Sequence, residues 1–156
     1  MTLTIRRLLI FASTLILLLT STANAGPLLA YDDAVQSLTA SNFTSSTETG
    51  MWFVEFYSPY CGHCKNFAPT FHDLAESSKH FEDSSNFHIS RVNCIAQGDL
   101  CTRQNIEAYP SLELYRDGAW LESYTGGRSY EELEAFVRAV AADNRKWMSI
   151  SGRFGG

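Results

Sequence analysis

Basic residues are in short supply in this 156-residue chain: 12 lysines and arginines face 17 aspartates and glutamates, for a net charge of −5 at pH 7. That balance argues against a nucleic-acid partner, which needs a basic patch or stripe to meet the phosphates. A bilayer-spanning run is missing too. The apolar stretch at residues 8–19 falls well short of the ~20 residues that a transmembrane helix requires. With Arg6 and Arg7 before it and Ala23-Asn24-Ala25 after it, residues 1–25 have the layout of a secretory signal peptide, with cleavage expected after Ala25. A membrane enters only if that segment stays uncleaved or if the chain is a truncated form of a longer one. Cleavage leaves 10 basic residues against the same 17 acidic ones, so the charge moves to −7.

Cysteine is limited to four residues, Cys61, Cys64, Cys94 and Cys101, all beyond the cleavage point. An even count in a secretory chain points to disulfides in an oxidising compartment, the endoplasmic reticulum lumen or the cell exterior. Residues 151–156 carry no retention tetrapeptide. His72, His80 and His88 show no ligand spacing with the cysteines, so no metal site is expected. Asn42-Phe43-Thr44 is a glycosylation sequon, with Asn42 the candidate acceptor. What the chain has in plenty is core: 45% apolar and 13% aromatic residues suffice for one globular domain, expected over residues 26–146, with 147–156 a loose tail.

The organising stretch is residues 54–65, where an apolar strand passes through Ser58-Pro59-Tyr60 into Cys61-Gly62-His63-Cys64-Lys65 at the start of a helix. A thiol attacks as its thiolate, and unpaired N–H groups at a helix N-terminus lower a cysteine's pKa. Cys61 is placed to be the nucleophile. Cys64, about one turn deeper, is placed to resolve a mixed disulfide at Cys61. Gly62 permits a close turn without a Cβ, and a charged His63 beside the Cys61 sulfur favours thiolate. A C-x-x-C pair is also half of a zinc site or a structural disulfide, but zinc needs a second pair and knuckle turns rather than a long apolar strand.

Residues 51–57 are apolar on both faces, as in a central strand covered by helices, with Glu55 the exception. A buried carboxylate there needs a partner or a raised pKa, and it can exchange a proton with Cys64. Before this strand lie a short edge strand near residues 34–38 and a short helix capped by Ser41. After it, Phe67, Phe71, Leu74 and Ala75 recur at helical spacing, with Pro69 expected to kink the helix. Residues 87–93 form a strand of mixed exposure. Three cysteine pairings are open, and we pair Cys94 with Cys101, and Cys61 with Cys64, as the neighbours cheapest to close. Residues 100–105 form a short helix, Pro110 precedes a strand either as a cis residue at a tight turn or as an ordinary trans proline, and Asp117-Gly118 turns a hairpin. Ser129 and Glu132 cap a final helix with Leu133, Phe136, Val137 and Val140 inward.

This order of strand, Pro-Tyr-Cys-Gly-His-Cys-Lys helix, later Tyr109-Pro110 before a hairpin, and Gly126-Gly127-Arg128 before a last helix resembles the thioredoxin superfamily, and within it a catalytic domain of the protein disulfide isomerase family. The resemblance implies an α/β fold, a central mixed sheet flanked by helices on both faces. It implies Cys61 as attacking and Cys64 as resolving cysteine, Glu55 as the buried proton-transfer acid and Pro110 as a cis-proline beside the dithiol. It further implies Tyr109 on the substrate groove and Arg128 as a mobile residue that adjusts the Cys64 pKa. Tyr60 stands where the family usually has tryptophan, keeping an aromatic platform for substrate. The expected activity is thiol–disulfide exchange and isomerisation on unfolded or disulfide-containing client polypeptides. It needs no cofactor beyond the protein's own Cys61–Cys64 couple, and glutathione or an upstream oxidase serves as redox partner. The alternative is a client-binding adaptor in which the dithiol is incidental.

Overall fold

A computed structural model describes residues 34–152 of the chain. The signal peptide expected at residues 1–25 and the last four residues lie outside them. The described elements are β1 (Gln36–Leu38), α1 (Phe43–Thr47), β2 (Met51–Tyr57), α2 (Gly62–Ser78), α3 (His80–Ser85), β3 (Phe87–Asn93), α4 (Gly98–Arg103), β4 (Ser111–Arg116), β5 (Ala119–Ser123) and α5 (Tyr130–Ile150). The five strands form one mixed sheet in the order β1-β3-β2-β4-β5. β1 and β2 run parallel to β3, whereas β4 runs antiparallel to both β2 and β5. This is the α/β architecture that the resemblance implied.

β2 lies at the centre, and all seven of its residues are buried. Its side chains alternate between two cores. Met51 and Phe53 face α2 and α5 together with Phe67, Phe71, Leu74, Leu133 and Val137. Trp52, Val54 and Phe56 face α1 and α4 with Phe43, Leu100 and the Cys94–Cys101 disulfide. Phe43 meets Phe56 and Tyr115 at ring-centroid distances of 6.1 and 5.4 Å, which seats α1 on its face. Apolar burial on both sides explains why β2 is a continuous hydrophobic run rather than an alternating one.

Several local expectations change. Ser41 does not cap α1: Asn42 is the cap residue, and its side-chain oxygen instead accepts the Thr39 N–H at 2.7 Å. α2 includes Pro69 within its 17 residues, with Phe67 and Phe71 on either side of the proline held in the core. The short α3, absent from the sequence reading, ends on Asn86 in the left-handed conformation (φ 43°). The carbonyl of Asn86 accepts the Met51 N–H at 2.9 Å and lies 2.6 Å from where a Gly50 Cβ would stand, so only glycine fits at the start of β2. β3 is more buried than the mixed exposure expected of it, because Phe87 and Ile89 enter one core and Val92 the other. The loose tail expected from residue 147 is also corrected: α5 continues to Ile150. Met148 is buried, and Trp147 packs beneath the Arg116 guanidinium, 5.7 Å from its ring centroid, while Arg116 pairs with Asp143. Burying the Met148 side chain contributes roughly 2 kcal/mol, which holds the last turn against fraying. No helix among the described residues is long and apolar enough to cross a membrane.

Candidate active site

The carboxyl end of β2 delivers the chain to the dithiol. The Ser58 carbonyl accepts the Cys61 N–H at 3.1 Å and the Ser58 hydroxyl accepts the Tyr60 N–H at 3.2 Å, which fastens the turn before the helix begins. Cys61 is then the N-cap of α2, with extended backbone (φ −76°, ψ 124°) and a carbonyl that accepts the first helical N–H, from Lys65 at 3.1 Å. Its sulfur is partly exposed and its thiol donates to the Tyr109 carbonyl at 3.5 Å. Cys64 is one turn further in and fully buried. Cys61 and Cys64 are not joined here, whereas Cys94 and Cys101 are, as paired from the sequence.

The two thiols differ sharply in acidity. The backbone N–H of Cys64 is the largest influence on Cys61 and holds its pKa below the ordinary thiol value. Burial opposes this, and the Cys64 side chain, the His63 backbone N–H and the Lys65 charge assist. These are helix-start donors aimed at the sulfur, the physical effect expected of a cysteine at an N-cap. The His63 backbone N–H reaches the Cys61 sulfur, and the side-chain charge that does so is that of Lys65. Gly62 departs from expectation. A Cβ there would meet nothing within 4 Å and the backbone is helical, so the turn itself does not require glycine.

Burial pushes the Cys64 thiol up to about 12, assisted by the Cys61 sulfur and the Glu55 charge and opposed by the Ser58 backbone. Glu55 is 2% exposed in the middle of β2. On the adjacent strand its register partner is Arg91, 5% exposed, whose guanidinium lies 5.6 Å from the centroid of the Tyr57 ring. Tyr57 has its pKa raised by burial first, then lowered by Arg91 and raised by Glu55 and Cys64. Glu55, Arg91, Tyr57 and Cys64 therefore form one buried electrostatic cluster under the N-terminus of α2. Arg91 and Tyr57 were missed as site residues. The signal was present in the sequence: Arg91 shares the parity of Phe87 and Ile89, so a charge stands on the core-facing side of β3, as Glu55 does on β2.

Beside the thiols lies an open cavity of about 490 Å³ lined by His63, Phe67, Tyr109, Pro110 and Arg128, with Asn66 and Thr70 on the helix side. The Tyr109–Pro110 bond is cis, which decides between the two conformations left open by the sequence. Arg128 borders the same cavity. Its Nη2 donates to the Pro110 carbonyl at 3.2 Å and its guanidinium sits 5.3 Å from the centroid of the Phe67 ring, so it closes one end of the cavity. Tyr60 is 78% exposed and stands outside the cavity lining. Asn42 is half-buried at the start of α1, remote in sequence from the thiols. Among the described residues no group of three or more His, Cys, Asp or Glu side chains could hold a metal ion.

The Thioredoxin family model matches residues 34–139. Among curated proteins, ER-retained PMA1-suppressing protein 1 of Saccharomyces cerevisiae is 38% identical over 109 residues, which cover 69% of this chain and 16% of that protein. Protein disulfide-isomerase of Aspergillus niger is 35% identical over 104 residues, or 66% of this chain and 19% of the other. Among solved structures, the first two thioredoxin domains of Saccharomyces cerevisiae Eps1p superpose with a TM-score of 0.67 at 37% identity, over 71% of this chain and 43% of that one. The chain belongs to the thioredoxin superfamily and, within it, to the protein disulfide isomerase family. It spans under a fifth of the length of these two curated relatives.

Proposed function

We propose that this chain is a thiol–disulfide oxidoreductase that exchanges disulfides with client polypeptides in the secretory pathway, with Cys61 as the exchanging and Cys64 as the resolving thiol. The observation that carries the reading is the division of labour between two neighbouring sulfurs: one partly exposed and acidified at a helix start, the other buried and held as a thiol. In the oxidising direction a client thiolate attacks the Cys61 sulfur of the Cys61–Cys64 disulfide, and Cys64 leaves and takes up a proton. A second client thiolate then displaces Cys61, so the client gains a disulfide and the protein keeps two electrons as its dithiol. Glutathione disulfide or an upstream oxidase removes those electrons. The reverse sequence reduces a client disulfide, and alternation of the two isomerises one. Glu55 is the proton carrier for Cys64, and Tyr109 and Pro110 form the wall on which the client lies. Names such as ER-retained PMA1-suppressing protein 1 support a place in the endoplasmic reticulum.

The test is insulin reduction together with trapping. Cys61→Ser abolishes turnover, and Cys64→Ser accumulates mixed disulfides between Cys61 and the client. Full activity in Cys61→Ser sinks the assignment. Client binding that survives unchanged in a Cys61→Ser/Cys64→Ser protein, with no exchange in the wild type, makes the domain an adaptor instead.

A further inference from the structure

We infer that the cavity beside Cys61 selects client segments that carry an acidic side chain within one or two residues of the reacting cysteine, with Arg128 as the anchor. The inference rests on the oxidoreductase reading and names the clients it favours.

The chain as a whole is acidic, 17 carboxylates against 12 basic residues, yet among the described residues no carboxylate lines this cavity. The charge of fixed sign in its lining is Arg128. Lys65, whose charge reaches the Cys61 sulfur, adds a second cation at the same end of α2. The acids that follow Arg128, Glu131 and Glu132, lie in the first turn of α5, where they face the helix N-terminus and the Glu132 Oε2 accepts the Ser129 hydroxyl at 2.6 Å. Arg128 is also held ready. One of its five N–H donors is spent on the Pro110 carbonyl and the flat guanidinium lies over Phe67, so the fork reaches the cavity with little rotamer freedom left to lose. An arginine positioned in this way pairs with a carboxylate through two parallel N–H donors.

The spacing follows from the backbone. The Cys61 thiol meets the Tyr109 carbonyl and Arg128 meets the next carbonyl along, that of Pro110. The anchor and the reacting sulfur therefore contact neighbouring carbonyls of the same wall, one residue apart. An acid at one or two positions from the client cysteine reaches it.

The overall charge makes the prediction distinctive in sign. A net charge of −5 steers basic peptides toward the molecule, so long-range attraction alone favours a lysine-bearing client. The local site demands the reverse order. Three cyclic peptides with one internal disulfide, identical except for Glu, Gln or Lys two positions from the same cysteine, are mixed with the reduced protein. Protein dithiol and peptide disulfide exchange two electrons, and the second-order rate is read by quenched alkylation. The Glu peptide reacts faster than the Lys peptide by on the order of tenfold at low salt. The ratio contracts toward one in ~1 M salt, where the Debye length is about 3 Å. Arg128→Gln abolishes the ratio whatever it does to the common rate, and Arg128→Lys restores part of it. Equal rates, or a Lys peptide that is faster, overturn the selection while Cys61-dependent exchange leaves the oxidoreductase reading standing. A preference that persists in Arg128→Gln overturns the role of Arg128. Failure of all three peptides to exchange overturns the oxidoreductase reading itself, and this inference with it.

Discussion

Replacing Glu55 by glutamine pits two effects of one carboxylate against each other. A thiol with a pKa of about 12 is ionised in roughly one molecule in 10⁵ at pH 7, so unaided attack by Cys64 on a mixed disulfide at Cys61 suffers by that factor. Burial is the largest cause of this and the Glu55 charge the smallest, so removing that charge lowers the Cys64 pKa and speeds attack to only a small extent. Removing the carboxylate also removes the base that takes the Cys64 proton, and positioned general bases contribute about 10²–10⁴-fold. The loss exceeds the gain, and Glu55→Gln slows resolution at pH 7 by on the order of 10²–10⁴-fold. The assay is stopped flow with the reduced protein and an excess of an aromatic disulfide. The first phase reports Cys61, and the second, the release of another equivalent of aromatic thiolate, reports Cys64. In the wild type the second phase changes little around neutral pH, and in Glu55→Gln it rises about tenfold per pH unit because only the free thiolate reacts. An unchanged first phase shows that the variant is folded. A second phase at pH 7 as fast as in the wild type, or faster, refutes the reasoning and leaves Glu55 as nothing more than a like charge.

Alkylation separates the remaining properties of the dithiol. Cys61 reacts with iodoacetamide with a pH midpoint below the ordinary thiol value of about 8.5, whereas Cys64 stays unmodified until the protein is denatured, as peptide mapping reports. A Cys61 midpoint at or above that value contradicts the helix-start account. Removing the second pair tests structure rather than chemistry. Replacing Cys94 and Cys101 together with alanine opens a loop closed across seven residues and destabilises the domain by roughly 2–3 kcal/mol in urea unfolding, and an unchanged midpoint argues against that role.

Much of the site was legible because its physics is local. A cysteine that follows an apolar strand and opens a helix is acidified by the helix's own backbone, so the placement of Cys61 at the helix start and of Cys64 one turn inside could be read from spacing alone. The Cys94–Cys101 bridge is of the same kind, since short loops close most cheaply. Glu55 was conspicuous as a charge inside an apolar run. The hairpin at Asp117-Gly118 and the cap at Ser129 follow from backbone preferences of single residues, and the structure contains both. The reading of Gly62 changed: a Cβ there would meet nothing within 4 Å and the backbone is helical, so the turn does not require glycine.

Sequence by itself determined the inward stripes of α2 and α5, the helix start at Cys61 and the pairing of Cys94 with Cys101, because each depends on atoms a few residues apart. Tertiary structure alone decided the rest. It set Arg91 opposite Glu55 across two parallel strands, brought Tyr109 to the Cys61 thiol from 48 residues away, laid Arg128 on Phe67 and carried α5 one turn past its expected end. Those contacts join residues far apart in the chain, and they exist because the sheet order and the burial of both its faces leave each side chain one place to go.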